Sequence, residues 1–311
     1  MANDIRCWKP ELPQNATRRT SDRQFLLRPD PEMKNTFGAC LGRAQEKFPV
    51  RIFWFEQNVN HIHPGIAPIE GLEDNVSRFL QSFHGNLARA VNRRWHREGP
   101  VWTGRTRCGP VLDEAELEEC MLYAVTNPVK DGLVDSVSHY PGFTCYHHLA
   151  HGAPLEFSYV DWGLWWRHGG PRNKRPLGEY VRWVEVRLSP LPHWLDLTPS
   201  QRQARFRRLV REREGVLREQ REIEGRSVFG ARALERLDPR ERPRNPKESG
   251  PRPLCYASSL ERRLEYARER RALRLAYAEA SARYRRGFYD TEFPPWTFKP
   301  PLVTIQAASG L

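Results

Sequence analysis

Hydrophobic positions in the first 63 residues follow two different patterns. Residues 31–48 carry apolar side chains three and four positions apart, at Met33, Phe37, Leu41 and Ala44, which is the spacing of one helix face. The run 50–63, VRIFWFEQNVNHIH, is rich in β-branched and aromatic residues and predicts one buried strand. An earlier and more basic strand is expected over 16–28, so the pattern gives strand, helix, strand.

A second helical stripe occupies residues 70–96, where apolar residues again recur three and four positions apart until Gly99–Pro100 ends the pattern. Residues 101–112 predict one or two short strands. Asp113 stands three positions before Glu116, which is the arrangement of a helix N-cap, so a third helix is expected from residue 114. That helix should end before Pro128, because the residue preceding a proline is disfavoured in the helical conformation.

This order of elements predicts an α+β fold, a sandwich with helices on one face of an antiparallel sheet. After residue 150 the composition changes. Residues 153–200 hold five of the ten tryptophans, and the two helical segments 201–226 and 259–286 carry nine arginines each. We therefore expect a mainly helical, Arg-rich C-terminal extension. The predicted units are an arm (1–15), a first domain (16–150), a Trp-rich and helical extension (151–237), a Pro/Arg-rich linker (238–253), and a basic helix with an extended tail (254–311).

The charge balance narrows the class of partner. The chain of 311 residues carries a formal net charge of +12, which favours a polyanion such as nucleic acid. Six scattered cysteines form no Cys-x-x-Cys pair, so a reducing compartment is expected. The N-terminal residues show no signal-peptide pattern, and no apolar run reaches 18 residues. These features predict a cytoplasmic protein with no membrane partner.

Two pairs of residues are candidates for chemistry. His61 and His63 are one residue apart in a predicted strand, so both side chains leave the same face and offer two corners of a divalent-metal site. Tyr123 and Asn127 are four residues apart and share a helix face. The amide oxygen of Asn127 suits Mg²⁺ or Mn²⁺, and a metal-polarised phosphate is a target that a phenol can attack. Each residue taken alone is more often structural, so the hypothesis depends on all four converging.

The motifs around these pairs resemble a known family. NHIH on a strand, WTGRTR, then YAVTNPVKDGLV and HYPG are similar to the REP-associated tyrosine transposases, which belong to the HUH single-strand endonucleases. The resemblance covers residues 16–150. It implies a ferredoxin-like fold, Tyr123 as the nucleophile that forms a covalent phosphotyrosine, and His61, His63 and Asn127 as ligands of Mg²⁺ or Mn²⁺. It also implies single-stranded, hairpin-bearing DNA as substrate, DNA transposition as the process, a bacterial host with the protein at its nucleoid, and a homodimer.

Basic residues near these motifs are candidate nucleic-acid contacts. Arg105 and Arg107 alternate in a predicted strand, and Arg89, Arg93 and Arg94 lie on the helix over 70–96. The competing interpretation for such residues is an ordinary solvated surface. The arginine-rich helices of the extension are open to the same two interpretations.

One position departs from the family pattern. Pro64–Gly65 follows His63 directly, and proline lacks the N–H that a central strand uses in its ladder. Either the strand ends at His63 or the site geometry is altered. This leaves a second hypothesis, a transposase-derived DNA-binding protein that no longer cleaves. A third, an RNA-binding protein, rests on charge alone.

Overall fold

The computed structural model describes residues 5–243 and 253–301. Parts of three predicted units lie outside the described residues: 1–4 of the arm, 244–252 of the linker and 302–311 of the tail. The first seven elements in chain order are β1 (Gln14–Arg19), α1 (Pro31–Lys47), β2 (Arg51–Gln57), β3 (His61–Ala67), α2 (Asp74–Arg94), β4 (Arg107–Pro110) and α3 (Glu114–Lys130).

The four strands form one antiparallel sheet in the order β2-β3-β1-β4. A βαββαβ chain with this strand order has the ferredoxin-like topology. One face of the sheet, which includes Ile52, Phe55 and Ile62, packs on α1 and α2 in a continuous apolar core. The predicted α+β class with helices on one face is therefore confirmed for these six elements. The third helix, α3, covers the opposite face with Leu117, Met121 and Val125.

Three predicted element bounds are wrong. Residues 50–63 form no single strand, because β2 turns at Asn58–Asn60 and β3 begins at His61; asparagine is a common turn residue. The strand over 16–28 ends at Arg19, since a 3-10 turn follows at Ser21–Arg23, where Asp22 takes a positive φ of 52°.

The third error concerns the end of α3, which does not stop before Pro128. The helix continues for one turn to Lys130, and the N–H of Asp131 donates to the Asn127 carbonyl at 2.9 Å. The side chains of Asn127 and Pro128 are both buried, so tertiary packing outweighs the local preference against this conformation.

Pro64 and Gly65 lie inside β3, which continues to Ala67. Pairing to β1 is found at Ile62 and again at Gly65, on either side of the proline. β2 bulges between Ile52 and Trp54, and the Trp54 indole covers Gly65 so closely that a Cβ there would lie 2.2 Å from the ring. A glycine in this strand therefore makes room for a tryptophan from its neighbour.

The extension packs back onto the first domain. Its elements are α4 (Tyr146–His151), β5 (Glu156–Val160), α5 (Trp162–Arg167), β6 (Val181–Glu185), α6 (Pro199–Ile223), α7 (Ala231–Leu234) and α8 (Leu260–Arg285). Further 3-10 turns lie at Val137–His139, Gly170–Arg172, Leu177–Tyr180 and Pro192–Trp194. The antiparallel strands β5 and β6 form a two-stranded sheet that packs on α1. Helix α6 packs on α3, with Phe206 and Val210 in the apolar core between α3 and the sheet.

The N-terminal arm is also packed against the domain. Trp8 is only 1% exposed and its indole N–H donates to Ser77 at 2.9 Å. Within the described ranges, no helix is long and apolar enough to cross a membrane.

Candidate active site

The candidate site lies between β3 and α3. The Asp113 carboxylate accepts a hydrogen bond from the Glu116 N–H at 2.9 Å and starts α3 as predicted. One face of α3 then packs into the core, while Cys120, Tyr123, Asn127 and Lys130 recur at helical spacing along the other. This second face borders a cavity of about 720 Å³ whose floor is the sheet.

The four predicted residues meet in that cavity. His61 and His63 project from β3 with their ring centroids 4.8 Å apart, and the His63 ring lies 5.7 Å from the Tyr123 ring. Asn127, one helical turn beyond Tyr123, lines the same cavity. The chain thus brings together two imidazoles, an amide and a phenol from two elements far apart in sequence.

The turn before β3 orients His61. Its Nδ1 is 2.7 Å from the side-chain oxygen of Asn60, and its Nε2 is 3.4 Å from the side-chain nitrogen of Asn58. A neutral ring that donates from Nδ1 and accepts at Nε2 satisfies both contacts. The two asparagines therefore fix the tautomer as well as the turn.

Electrostatics keep both imidazoles neutral. Burial, with His63 and Arg19 close by, lowers the pKa of His61 well below its usual value. Burial, with Lys130 and Arg19 nearby, lowers the pKa of His63 to about 4. A neutral imidazole is the form that binds a metal ion.

Three buried polar atoms of cavity residues have no hydrogen-bond partner among the described residues. They are Nε2 of His63, Oδ1 of Asn127 and Oδ1 of Asn58. Buried acceptors are nearly always satisfied, so an unpartnered nitrogen and oxygen on one cavity indicate a missing ligand. A divalent cation held by His63 and Asn127 fits this donor set, which combines imidazole nitrogen with amide oxygen. His61 would complete the set through Nε2, in place of its 3.4 Å contact with Asn58.

Lys130 contacts the predicted nucleophile. Its Nζ donates to the Tyr123 hydroxyl at 3.0 Å and lies 4.3 Å from the centre of the Tyr123 ring. Lys130 was not among the predicted site residues, because the predicted helix ended at Asn127, three residues too early. In the longer helix, a spacing of seven places Lys130 on the same face as Tyr123, two turns away.

The predicted nucleic-acid contacts separate into two groups. Arg107 lies on β4 opposite Thr17, and Thr17 lines the cavity. The side chain of Arg107 therefore leaves the sheet on the cavity face. Arg105 is exposed in the segment just before β4. The structure does not bring α2 to the site, because that helix covers the other face of the sheet.

The three arginines of α2 have neighbours of their own. Arg94 is paired with Asp30 at 2.8 Å and with Glu32 at 3.0 Å, and its side chain is only 12% exposed. Arg93 lies over the Trp162 ring, and Arg89 donates to Asn86. Arg94 therefore holds the first turn of α1, and none of the three borders the cavity.

Several arginines of α6 also have structural partners. Arg205 pairs with Glu118 and Arg213 with Glu119, each at 2.7 Å, which ties α6 to α3.

Within the described residues, no group of three His, Cys, Asp or Glu side chains is placed to hold a metal ion, and this includes the histidines of α4.

Comparisons with known proteins gave matches among solved structures alone. No family model matches the chain, and no curated protein matches it. A structure of a REP-associated tyrosine transposase bound to a REP hairpin is 21% identical, with a TM-score of 0.42, covering 50% of this chain and 90% of that one. A presumed transposase from Deinococcus radiodurans is 14% identical, with a TM-score of 0.28, covering 38% of this chain and 92% of that one.

Proposed function

We propose that this chain is a metal-dependent single-stranded DNA endonuclease and strand transferase that acts like a transposase and uses Tyr123 as its nucleophile. The observation that carries the proposal is the convergence of Tyr123 with His61, His63 and Asn127 on one cavity. The unpartnered atoms of His63 and Asn127 support a metal site there. Hairpin-bearing DNA is the proposed substrate, in keeping with the motifs of residues 16–150.

The proposed reaction is a transesterification. The Tyr123 oxygen loses its proton and forms a bond to phosphorus, while the bond from phosphorus to one sugar oxygen breaks. One DNA product stays attached to Tyr123, and the other leaves as an alkoxide, which takes up a proton and becomes a hydroxyl. Since a phosphodiester is exchanged for a phosphodiester, a second DNA hydroxyl can reverse the step and join a new strand.

The residues of the chain have separate roles in this step. Lys130 holds the Tyr123 hydroxyl and places a positive charge beside the oxygen that becomes anionic. His61, His63 and Asn127 would hold Mg²⁺ or Mn²⁺, which when bound supplies positive charge to the phosphate. The sheet and α3 enclose the cavity and exclude bulk water from two sides.

Covalent capture tests the proposal. Wild-type protein is incubated with labelled single-stranded hairpin DNA and Mn²⁺, and a denaturing gel reports any protein–DNA adduct. An adduct is expected with wild type and with Tyr289→Phe, an exposed tyrosine outside the cavity, and is expected to vanish in Tyr123→Phe. Hairpin binding without an adduct in any metal would contradict the proposed endonuclease activity. It would favour a transposase-derived protein that binds DNA but no longer cleaves it.

Metal binding is tested separately from cleavage. Titration with Mn²⁺ followed by electron paramagnetic resonance should show one site that is weakened in His63→Ala and in Asn127→Ala. His96→Ala, an exposed histidine outside the cavity, serves as the control.

A further inference from the structure

The C-terminal extension supplies part of the cavity wall. Arg226, Pro243 and Tyr256 line the cavity together with the residues of β1, β3 and α3. They come from the segments that follow α6, more than 90 residues beyond Lys130 in the chain. The site is therefore shared between the first domain and the extension.

Backbone hydrogen bonds fix Tyr256 at the start of α3. Its N–H donates to the Pro110 carbonyl at 2.8 Å, and its carbonyl accepts from the Leu112 N–H at 2.9 Å. Two residues later, the Ser258 N–H and hydroxyl both donate to the Asp113 carboxylate, at 2.8 and 3.1 Å. The segment carrying Tyr256 is thus an added edge beside the β4–α3 connection.

The Tyr256 ring rests on the sheet. A Cβ at Gly109 of β4 would lie 2.8 Å from the ring, so the glycine lets the ring approach the strand backbone. Gly109 pairs with Asn15, another residue of the cavity. Burial, with Cys120 and Tyr123 close by, raises the pKa of Tyr256 to about 12, so the phenol is neutral at physiological pH. A neutral aromatic ring held on a rigid strand is suited to stacking.

The charged groups divide the cavity into two ends. Glu116 and Glu119 lie in the first turns of α3, near Tyr256, whereas Lys130 lies at its last turn, where Asp131 and Arg226 also border the cavity. Arg19 and Arg23 line the cavity as well, so the cationic side chains there outnumber the Asp131 carboxylate. Phosphates favour the cationic end, and an uncharged base suits the end that carries Tyr256. From Cys120 to Lys130 the helix axis extends about 15 Å, so a strand following α3 passes Tyr256, then Tyr123, then Lys130.

We propose that Tyr256 is a base-binding residue that stacks on an unpaired DNA base next to the phosphodiester attacked by Tyr123. This inference rests on the proposed function, since it assigns the substrate contacts of the same site. Single-stranded bases expose the face that an aromatic side chain covers, whereas paired bases do not.

Equilibrium binding tests the assignment without chemistry. All proteins carry Tyr123→Phe, and fluorescence anisotropy reports the Kd for a labelled DNA hairpin with a single-stranded extension. Tyr256→Leu and Tyr256→Ala should weaken binding roughly 5- to 150-fold, as expected for the loss of one stacked base. Tyr256→Phe should bind within about twofold of the parent, because the ring is retained. Tyr289→Leu is the matched control, an exposed tyrosine outside the cavity.

The leucine variant separates stacking from packing. Leucine fills space over Gly109 without a flat aromatic face, so a purely structural role would be preserved in Tyr256→Leu. Parent-like affinity of Tyr256→Leu, with Tm values matched across the series, would overturn the inference. Absence of hairpin binding by the parent itself would instead count against the proposed function, so the two failures are distinguishable.

Discussion

Lys130 places its ammonium group 3.0 Å from the oxygen of Tyr123, the proposed nucleophile. Removing the charge in Lys130→Met should slow adduct formation about 10- to 150-fold, since a hydrogen bond to a charged group contributes about 1.5–3 kcal/mol. Single-turnover adduct formation on a denaturing gel measures the rate. Lys130→Arg keeps the charge and should retain more activity than Lys130→Met, and equal rates for all three proteins would refute the role.

Gly65 gives a prediction about stability. Gly65→Ala would place a methyl group 2.2 Å from the Trp54 ring and should lower the free energy of unfolding by about 1–3 kcal/mol through overpacking. Gly215→Ala is the matched control: it lies in α6 with nothing within 4 Å of the added Cβ, so helix propensity should stabilise it by up to about 1 kcal/mol. Urea denaturation distinguishes the two, and equal effects would show that Trp54 moves aside at little cost.

At the scale of elements, α6 is tied to the segment after α3 by one buried carboxylate. Glu214 is 7% exposed and accepts from the Val137 N–H at 2.7 Å and from the Ser136 hydroxyl at 3.0 Å. Glu214→Ala leaves these donors without their partner and should cost about 1–3 kcal/mol of stability. Glu212→Ala, an exposed glutamate of the same helix whose nearest cation is 4.0 Å away, should change stability by less than about 0.5 kcal/mol. Chemical denaturation of both variants checks the difference.

Local patterns predicted the alternation of strands and helices, except that one strand was predicted where β2 and β3 form two. They also indicated four residues of the candidate site. The spacing of Met33, Phe37 and Leu41 specifies a helix without any knowledge of its neighbours. The same reasoning ended α3 before Pro128, because it could not include the burial that holds the last turn. The position of Tyr256 in the cavity could not be predicted in this way, since no periodicity links residue 256 to β4. Contacts that depend on tertiary packing are absent from a local pattern.

For the whole molecule, the buried His84 predicts a pH dependence. Burial, with Arg18 and Arg6 nearby, lowers the pKa of His84 well below its usual value. Below about pH 6.5 the unfolded chain takes up a proton at residue 84 that the folded chain does not. The free energy of unfolding therefore decreases by about 1.4 kcal/mol for each unit by which the pH is lowered, for this group. His84→Gln should remove this contribution and reduce the slope by about 1.4 kcal/mol per pH unit, which corresponds to one proton.

Urea denaturation between about pH 7.5 and pH 5 measures that slope. His96→Asn, at an exposed position, is the matched control. Superimposable slopes for wild type and His84→Gln would contradict the assignment.

The shared cavity also has a consequence for the timing of synthesis. Tyr256 is added 126 positions after Lys130, which at about 5–20 residues per second leaves an interval of roughly 6–25 s. Throughout that interval a chain leaving the ribosome already holds Tyr123, His61 and His63, but it has no wall at the Tyr256 end of the cavity. The order of translation therefore delays the complete cavity until the extension has been made and has packed against β4.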